Sequence, residues 1–392
     1  MSWDNVKGVS AAQIWTDNPN MTQAYLFANG NHQVKMTIGL TLTLSNSSQP
    51  GPTDDEVKAA LSLIDFETGA DISYLKIGDK GQYGYVYQPN MPMEIKALPV
   101  SSASNPGAYQ YELDYYLSSD ETVNASYASE TVALLLSYID VNGKKIDYQT
   151  GSGSGSRSQV AGRRSQVAGR RSQVAGRRSQ VAGRRSQSSV AVTVYPPKKY
   201  GMPDSAMTAV VFNTLNDKPN YTTETSSFID TFIVHSVQVY GLAIDDSYFR
   251  FIGYQSPNTR LSPAQFRQII ESDYSAGDTP GYKLSQGFLL EDNDVKSMGR
   301  SYSANVAVMD KDPDTGEPNG EIACLDVTVY QQFGQIIFIN FDVDVSWYNN
   351  YGDTLFKESA SAKLTAFDQF GNPAYIEVGA GNSSTLSLSS VS

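Results

Sequence analysis

The segment MTIGLTLTL puts Met36, Ile38, Leu40, Leu42 and Leu44 on one parity and Thr37, Gly39, Thr41 and Thr43 on the other. Successive side chains of an extended chain point to opposite faces. This pattern therefore buries one face of a strand and does not fit the 3.6-residue repeat of a helix. QIIFINFDVDVSW repeats the pattern at greater length. Ile337, Ile339, Phe341, Val343, Val345 and Trp347 are expected to face a core, and Phe338, Asn340, Asp342, Asp344 and Ser346 to face water or a partner. Alternation of this kind belongs to antiparallel sheets, whereas buried parallel strands read as unbroken apolar runs.

Turn signals punctuate the strands at Asn29-Gly30, Pro50-Gly51, Asn142-Gly143, Phe333-Gly334 and Phe370-Gly371-Asn372. Asn142-Gly143 predicts a two-residue type I′ hairpin. Helical signals are few. Thr53-Asp54-Asp55-Glu56 has the form of a capping box, and LSPAQFRQIIES offers Ser262 as N-cap, Pro263 as first helical residue and a stripe of Phe266, Ile269 and Ile270. The expected fold is mainly β: tandem antiparallel β-sandwich domains, jelly-roll or Ig-like, with one or two short helices.

A chain of 392 residues suits two or three domains. The first is expected over 1–200, ending at Pro196-Pro197; a polar connector follows over 201–224, a second sandwich over 225–381 and a Ser-rich tail over 382–392. Inside the first domain, 151–189 holds GSGSGSR and four identical copies of SQVAGRR, with the paired arginines Arg163, Arg164, Arg170, Arg171, Arg177, Arg178, Arg184 and Arg185. One Val, one Ala and a Gly per seven residues cannot make a coiled-coil seam, so composition reads as a disordered insert between two strands. Identity between copies points to recent duplication or engineering. An inert expansion is the favoured reading, ahead of a polyanion-binding tail or a protease-sensitive loop.

The formal net charge is -12, but 151–189 carries nine arginines and no acid, leaving 20 basic residues against 41 acidic ones elsewhere. An acidic body argues against nucleic acid as its partner. No apolar run is long enough for a membrane-spanning helix. MSWDNVKGVS has neither the basic nor the apolar part of a secretory signal. The implied protein is made in the cytoplasm and released by lysis, by a dedicated machine or on a particle.

Asp310, Asp312, Asp314 and Glu321 stand at positions 1, 3, 5 and 12 of DKDPDTGEPNGE. Carboxylates so spaced can wrap a hard cation. The spacing resembles an EF-hand calcium loop over these twelve residues alone. Thr315 stands where that motif has glycine, Gly316 comes one place later, and the flanks read as strands. The resemblance implies Ca2+, the only cofactor expected; the competing reading is an acidic hairpin turn.

Other chemistry is sparse. His32 shares parity with Val34 and Met36, and His235 with Ile233 and Val237, so both are expected near a core face. The lone Cys324 sits in apolar IACLDVTVY and reads as a small core hydrophobe. Tyrosines cluster at Tyr83, Tyr85, Tyr87 and at Tyr109, Tyr111, Tyr115, Tyr116. They read either as an interface or glycan-stacking face or as ordinary strand composition. The expected function is non-enzymatic: surface recognition or self-assembly, as a particle, filament or fibre component or a glycan-binding adhesin. Its partner would be itself, or a cell-surface glycan or protein. The alternative is a pore-forming or insecticidal-type toxin, with NYTTETSSFIDTFIVHSVQVYGL as the segment nearest to a membrane hairpin.

Overall fold

The computed structural model describes residues 2–16, 22–85, 87, 108–120, 128–151, 189–227, 229–255, 265–269, 274–276, 279–289, 301–311, 314–315, 318–330, 332–347, 361–380 and 385–392. These residues are mainly strand. The chain divides into two compact units, Met1–Pro197 and Lys198–Ser392.

In the first unit a 3-10 turn (Ser2–Asn5) leads into β1 (Val6–Thr16), β2 (Gln23–Phe27), β3 (Val34–Leu44), helix α1 (Asp54–Ala60), β4 (Leu61–Asp65), β5 (Lys76–Gly78), β6 (Ala108–Ser118), β7 (Ala128–Ile139), β8 (Lys145–Gln149) and β9 (Ser189–Tyr195). One sheet runs β1-β3-β6-β5; the other runs β2-β9-β7-β4, with β8 also on β7. All pairs are antiparallel except β2 with β9. The alternation read in β3 holds: Met36, Ile38, Leu40 and Leu42 are buried, and they share one core with Leu26, Val132, Leu134, Val190, Val192 and Val194 of the other sheet.

The capping box forms. Glu56 N–H donates to Thr53 Oγ1 (3.3 Å), and Thr53 N–H donates to Glu56 Oε2 (2.8 Å). Three acids in its first turn suit the positive end of a helix. The helix stops after two turns because Leu61 turns extended and opens β4.

The second unit holds β10 (Tyr200–Gly201), β11 (Thr208–Asn216), β12 (Tyr221–Thr225), β13 (Ile229–Ile244), β14 (Phe251–Gln255), β15 (Gln265–Ile269), β16 (Tyr274–Ala276) and β17 (Thr279–Leu289). It continues through β18 (Ser301–Lys311), β19 (Pro318–Tyr330), β20 (Ile336–Trp347), β21 (Ser361–Asp368), β22 (Pro373–Ala380) and β23 (Leu386–Val391). Three sheets result: β10-β11-β13-β20-β17-β15 with β16 on β17, β12-β19-β18, and β14-β21-β22-β23. Ile337, Ile339, Phe341, Val343 and Val345 of β20 pack with Leu325, Val327 and Val329 of β19.

Several expectations need correction. Residues 201–224 are not a bare connector, since they carry β11 and most of β12; the Ser-rich end forms β23, with Leu386 and Val391 buried. Instead of a helix from Ser262, Gln265–Ile269 is strand β15, laddered to β17. Pairing with a neighbouring strand overrides local helix propensity here. The first half of the second face of β20 does not meet water, because Ile336, Phe338 and Asn340 are buried on it too and Phe338 meets the Phe212 ring edge-on; Asp342, further along, is half-buried. At Asn142-Gly143 the turn bond runs from Gly143 N–H to Asp140 C=O (2.9 Å), so Val141 and Asn142 are its central residues. Gly143 follows with φ 74°, which makes a three-residue loop with a bulge rather than a type I′ turn.

Candidate functional site

The β21–β22 hairpin turns in the same way as β7–β8. Gly371 (φ 74°) follows a turn closed by its N–H on Asp368 C=O, as Gly143 does on Asp140. Both aspartates accept from the N–H groups two and four residues on: Asn142 and Lys144 for Asp140, Phe370 and Asn372 for Asp368. Their surroundings differ. Asp140 is solvated, and these bonds hold its carboxyl below the usual range. Asp368 is fully buried, and it also accepts from Tyr200 Oη (2.6 Å) and Asn372 Nδ2 (2.8 Å). Burial outweighs these four donors and pushes its carboxyl up; burial and the carboxylate likewise push the Tyr200 hydroxyl up. The network pins this hairpin to Tyr200 at the start of the unit.

The pinned hairpin presents a patterned outer face. Ala362, Leu364 and Ala366 of β21 and Ala374, Ile376 and Val378 of β22 point inward. The opposite parity points out, and register lines it up in rows. Gln255 faces Thr365, and Thr365 faces Tyr375. Tyr375 is joined to Ser392 by two backbone bonds of 2.9 Å. In the next row Lys363 faces Glu377, and Glu377 faces Ser390. Together these residues line an open cleft of about 450 Å3.

Tyr375 is 58% exposed, the most open of the large apolar side chains among the described residues. Glu377 accepts from Ser361 Oγ (2.5 Å) and Ser390 Oγ (3.4 Å). The Ser361 bond, helped by nearby Lys363, holds its carboxyl below the usual range, so it is a carboxylate at neutral pH. The floor thus offers one exposed ring flanked by an ammonium, a carboxylate, an amide and hydroxyls.

The expected tyrosine face is not assembled. Residues 83–85 and 87 are not in a strand; Tyr83 is buried, and Tyr87 packs against Phe27 (4.6 Å) and Tyr195 (5.8 Å). On β6, Tyr111 is buried and donates to Pro52 C=O (2.7 Å), while Tyr115 packs on the same core. Tyr109 lies opposite Leu42.

Of the calcium candidates, Asp310 and Glu321 lie on the antiparallel strands β18 and β19, where Met309 faces Glu321 across a register shift. Asp314 is exposed at the turn between them, and Asp312 falls outside the described residues. Strands flank this turn on both sides, unlike the helices of an EF-hand. Among the described residues no three acids, histidines or cysteines converge on a metal position. The paired arginines Arg163 to Arg185 also lie outside the described residues.

His32 is in the core as expected. Phe27 N–H donates to Nδ1 (3.0 Å), and Nε2 donates to Tyr85 C=O (2.8 Å). His235 is not, because a bulge between Val234 and Ser236 switches the parity of β13. Phe232 and Val234 before the bulge, and Val237 and Val239 after it, face the core. Ile233 and His235 are left outside, where His235 Nε2 meets Asp344 Oδ2 at 2.9 Å. The stretch read as a membrane hairpin is split between two sheets, β12 with β19 and β13 with β20. No helix among the described residues is long and apolar enough to cross a membrane.

The chain matches no protein-family model, and no curated protein is similar to it in sequence.

Proposed function

We propose that this is a non-enzymatic recognition protein, built of tandem β-sandwich domains, that holds a cell-surface glycan on the outer face of β14-β21-β22-β23. The sandwich reading draws support from the first unit, where both sheets feed one apolar core. The observation that carries the function is the exposed Tyr375 ring set among Gln255, Thr365, Lys363, Glu377 and Ser390 in an open cleft. A sugar ring has an apolar face and a rim of hydroxyls. A tyrosine offers the first a flat apolar body at small entropic cost. Side chains that both donate and accept serve the second, and the opposite charges of Lys363 and Glu377 leave the cleft suited to a neutral ligand. Glu377 is already engaged by two hydroxyls, which suits holding a ligand more than proton transfer.

Retention on a panel of immobilised neutral polysaccharides tests this. Tyr375→Ala is expected to weaken retention at least tenfold, about 1.4 kcal/mol, with melting unchanged. Equal retention of wild type and variant would remove this face as the site. No retention by the wild type, with regular particles in light scattering, would replace recognition by self-assembly.

A further inference from the structure

We infer that residues 151–188 are spliced into one continuous strand, which keeps its register and its buried face across the interruption. The inference rests on the two ladders of β7. On the edge away from β4, Leu135 faces Gln149 and Ala133 faces Ser189. Between them, Thr150 N–H donates to Leu134 C=O (2.9 Å). Three successive residues of β7 therefore face Gln149, Thr150 and Ser189 in turn, with no position skipped and none doubled.

Side-chain parity runs on in the same way. Ile146 and Tyr148 of β8 pack on the core of the first unit, and Val190, Val192 and Val194 of β9 continue the same face beyond the junction. Two independent strands meeting end to end would match in both respects only by coincidence. A one-residue slip would have turned the valines outward.

The junction shows where the chain departs. Leu134 N–H donates to Thr150 Oγ1 (3.0 Å), the hydroxyl supplying the acceptor at the point where the chain leaves the ladder. Gly151 follows, buried, with the space for a Cβ only 2.9 Å from the Phe66 carbonyl oxygen, so a side chain there would clash. The chain leaves the ladder after Thr150 and rejoins it at Ser189, opposite the next residue of β7. The segment enters as a passenger in one respect: the ladder on β7 runs from Thr150 to Ser189 without a gap.

Three deletions test this in the full chain. Removing 151–188 joins Thr150 to Ser189 and restores an unbroken strand; its melting temperature is expected within about 3 °C of the parent or above it. Removing 151–189 asks Thr150 and Val190 to span two ladder steps, about 6.8 Å, with one peptide link of about 3.8 Å. That variant must break a ladder or turn three valines outward, and the first unit is expected to lose at least about 10 °C. Removing 152–188 leaves Gly151 as a one-residue bulge and is expected to fall between the two. Similar melting of the 151–188 and 151–189 deletions, whether both stable or both lost, would overturn the inference. So would a parent that outlasts the 151–188 deletion by 10 °C.

Discussion

Asp368→Ala is expected to cost the second unit about 3–5 kcal/mol, because it strips the acceptor from four donors in a buried site. Tyr200→Phe, which removes one of those donors, is expected to cost about 1.5–3 kcal/mol. The cost should fall on β21, β22 and β10, since Tyr200 and Asp368 are 168 positions apart in sequence and joined by this one bond. Urea unfolding followed by hydrogen exchange of the β21–β22 amides measures it. Asp140→Ala is the internal control: the same turn in a solvated setting should lose far less. A loss below about 1 kcal/mol at Asp368 would mean the network is incidental to stability.

Acid is expected to weaken the first unit through His32. Its two bonds fix the neutral form with the proton on Nε2, since a carbonyl can only accept and the Phe27 N–H can only donate. Burial pulls its pKa down to about 4, against the opposing pull of the Tyr85 carbonyl. The unfolded chain takes up this proton near 6.5 and the folded chain near 4, so protons favour unfolding between those values. The contribution is complete above pH 6.5, fades as pH falls toward 4 and reaches about 3 kcal/mol. Asp368, with its carboxyl pushed up, gives the second unit the opposite slope: protonation there favours the fold. The chain has only two histidines, so imidazole NMR can follow His32 directly. Its signals should keep the neutral Nε2–H pattern from pH 8 down to 5; protonation near 6.5 would refute the assignment.

Strand content was legible in the sequence because burial alternates with period two, and the capping box at Thr53 was legible because its four residues are contiguous. The errors have physical causes. A β-bulge is one extra residue with no compositional mark, and the one after Val234 sent His235 outward while its parity partners Val237 and Val239 stayed in. At Gln265–Ile269 good helix signals lost to a ladder with β17 that no local window contains. The tyrosine-rich runs drew attention by density, yet Tyr83 and Tyr111 are core residues. Tyr375 stands alone in sequence. The signal that would have found it is the outward parity of Lys363, Thr365, Tyr375 and Glu377 across the Phe370-Gly371 turn.

The splice at Thr150 also bears on how this gene can vary. Tandem copies of a short unit are prone to gain and loss when a strand slips during replication. Such changes in a core strand would ordinarily be purged, but here the copies lie between two ladder neighbours whose register the interruption leaves intact. Each doubling of the excursion costs only about 0.6 kcal/mol of closure entropy. One SQVAGRR more or fewer changes the charge by two and leaves Thr150 and Ser189 as the two ends of the excursion. Copy number is therefore expected to act as a dial that selection can turn without disturbing the register of β7 with its neighbour.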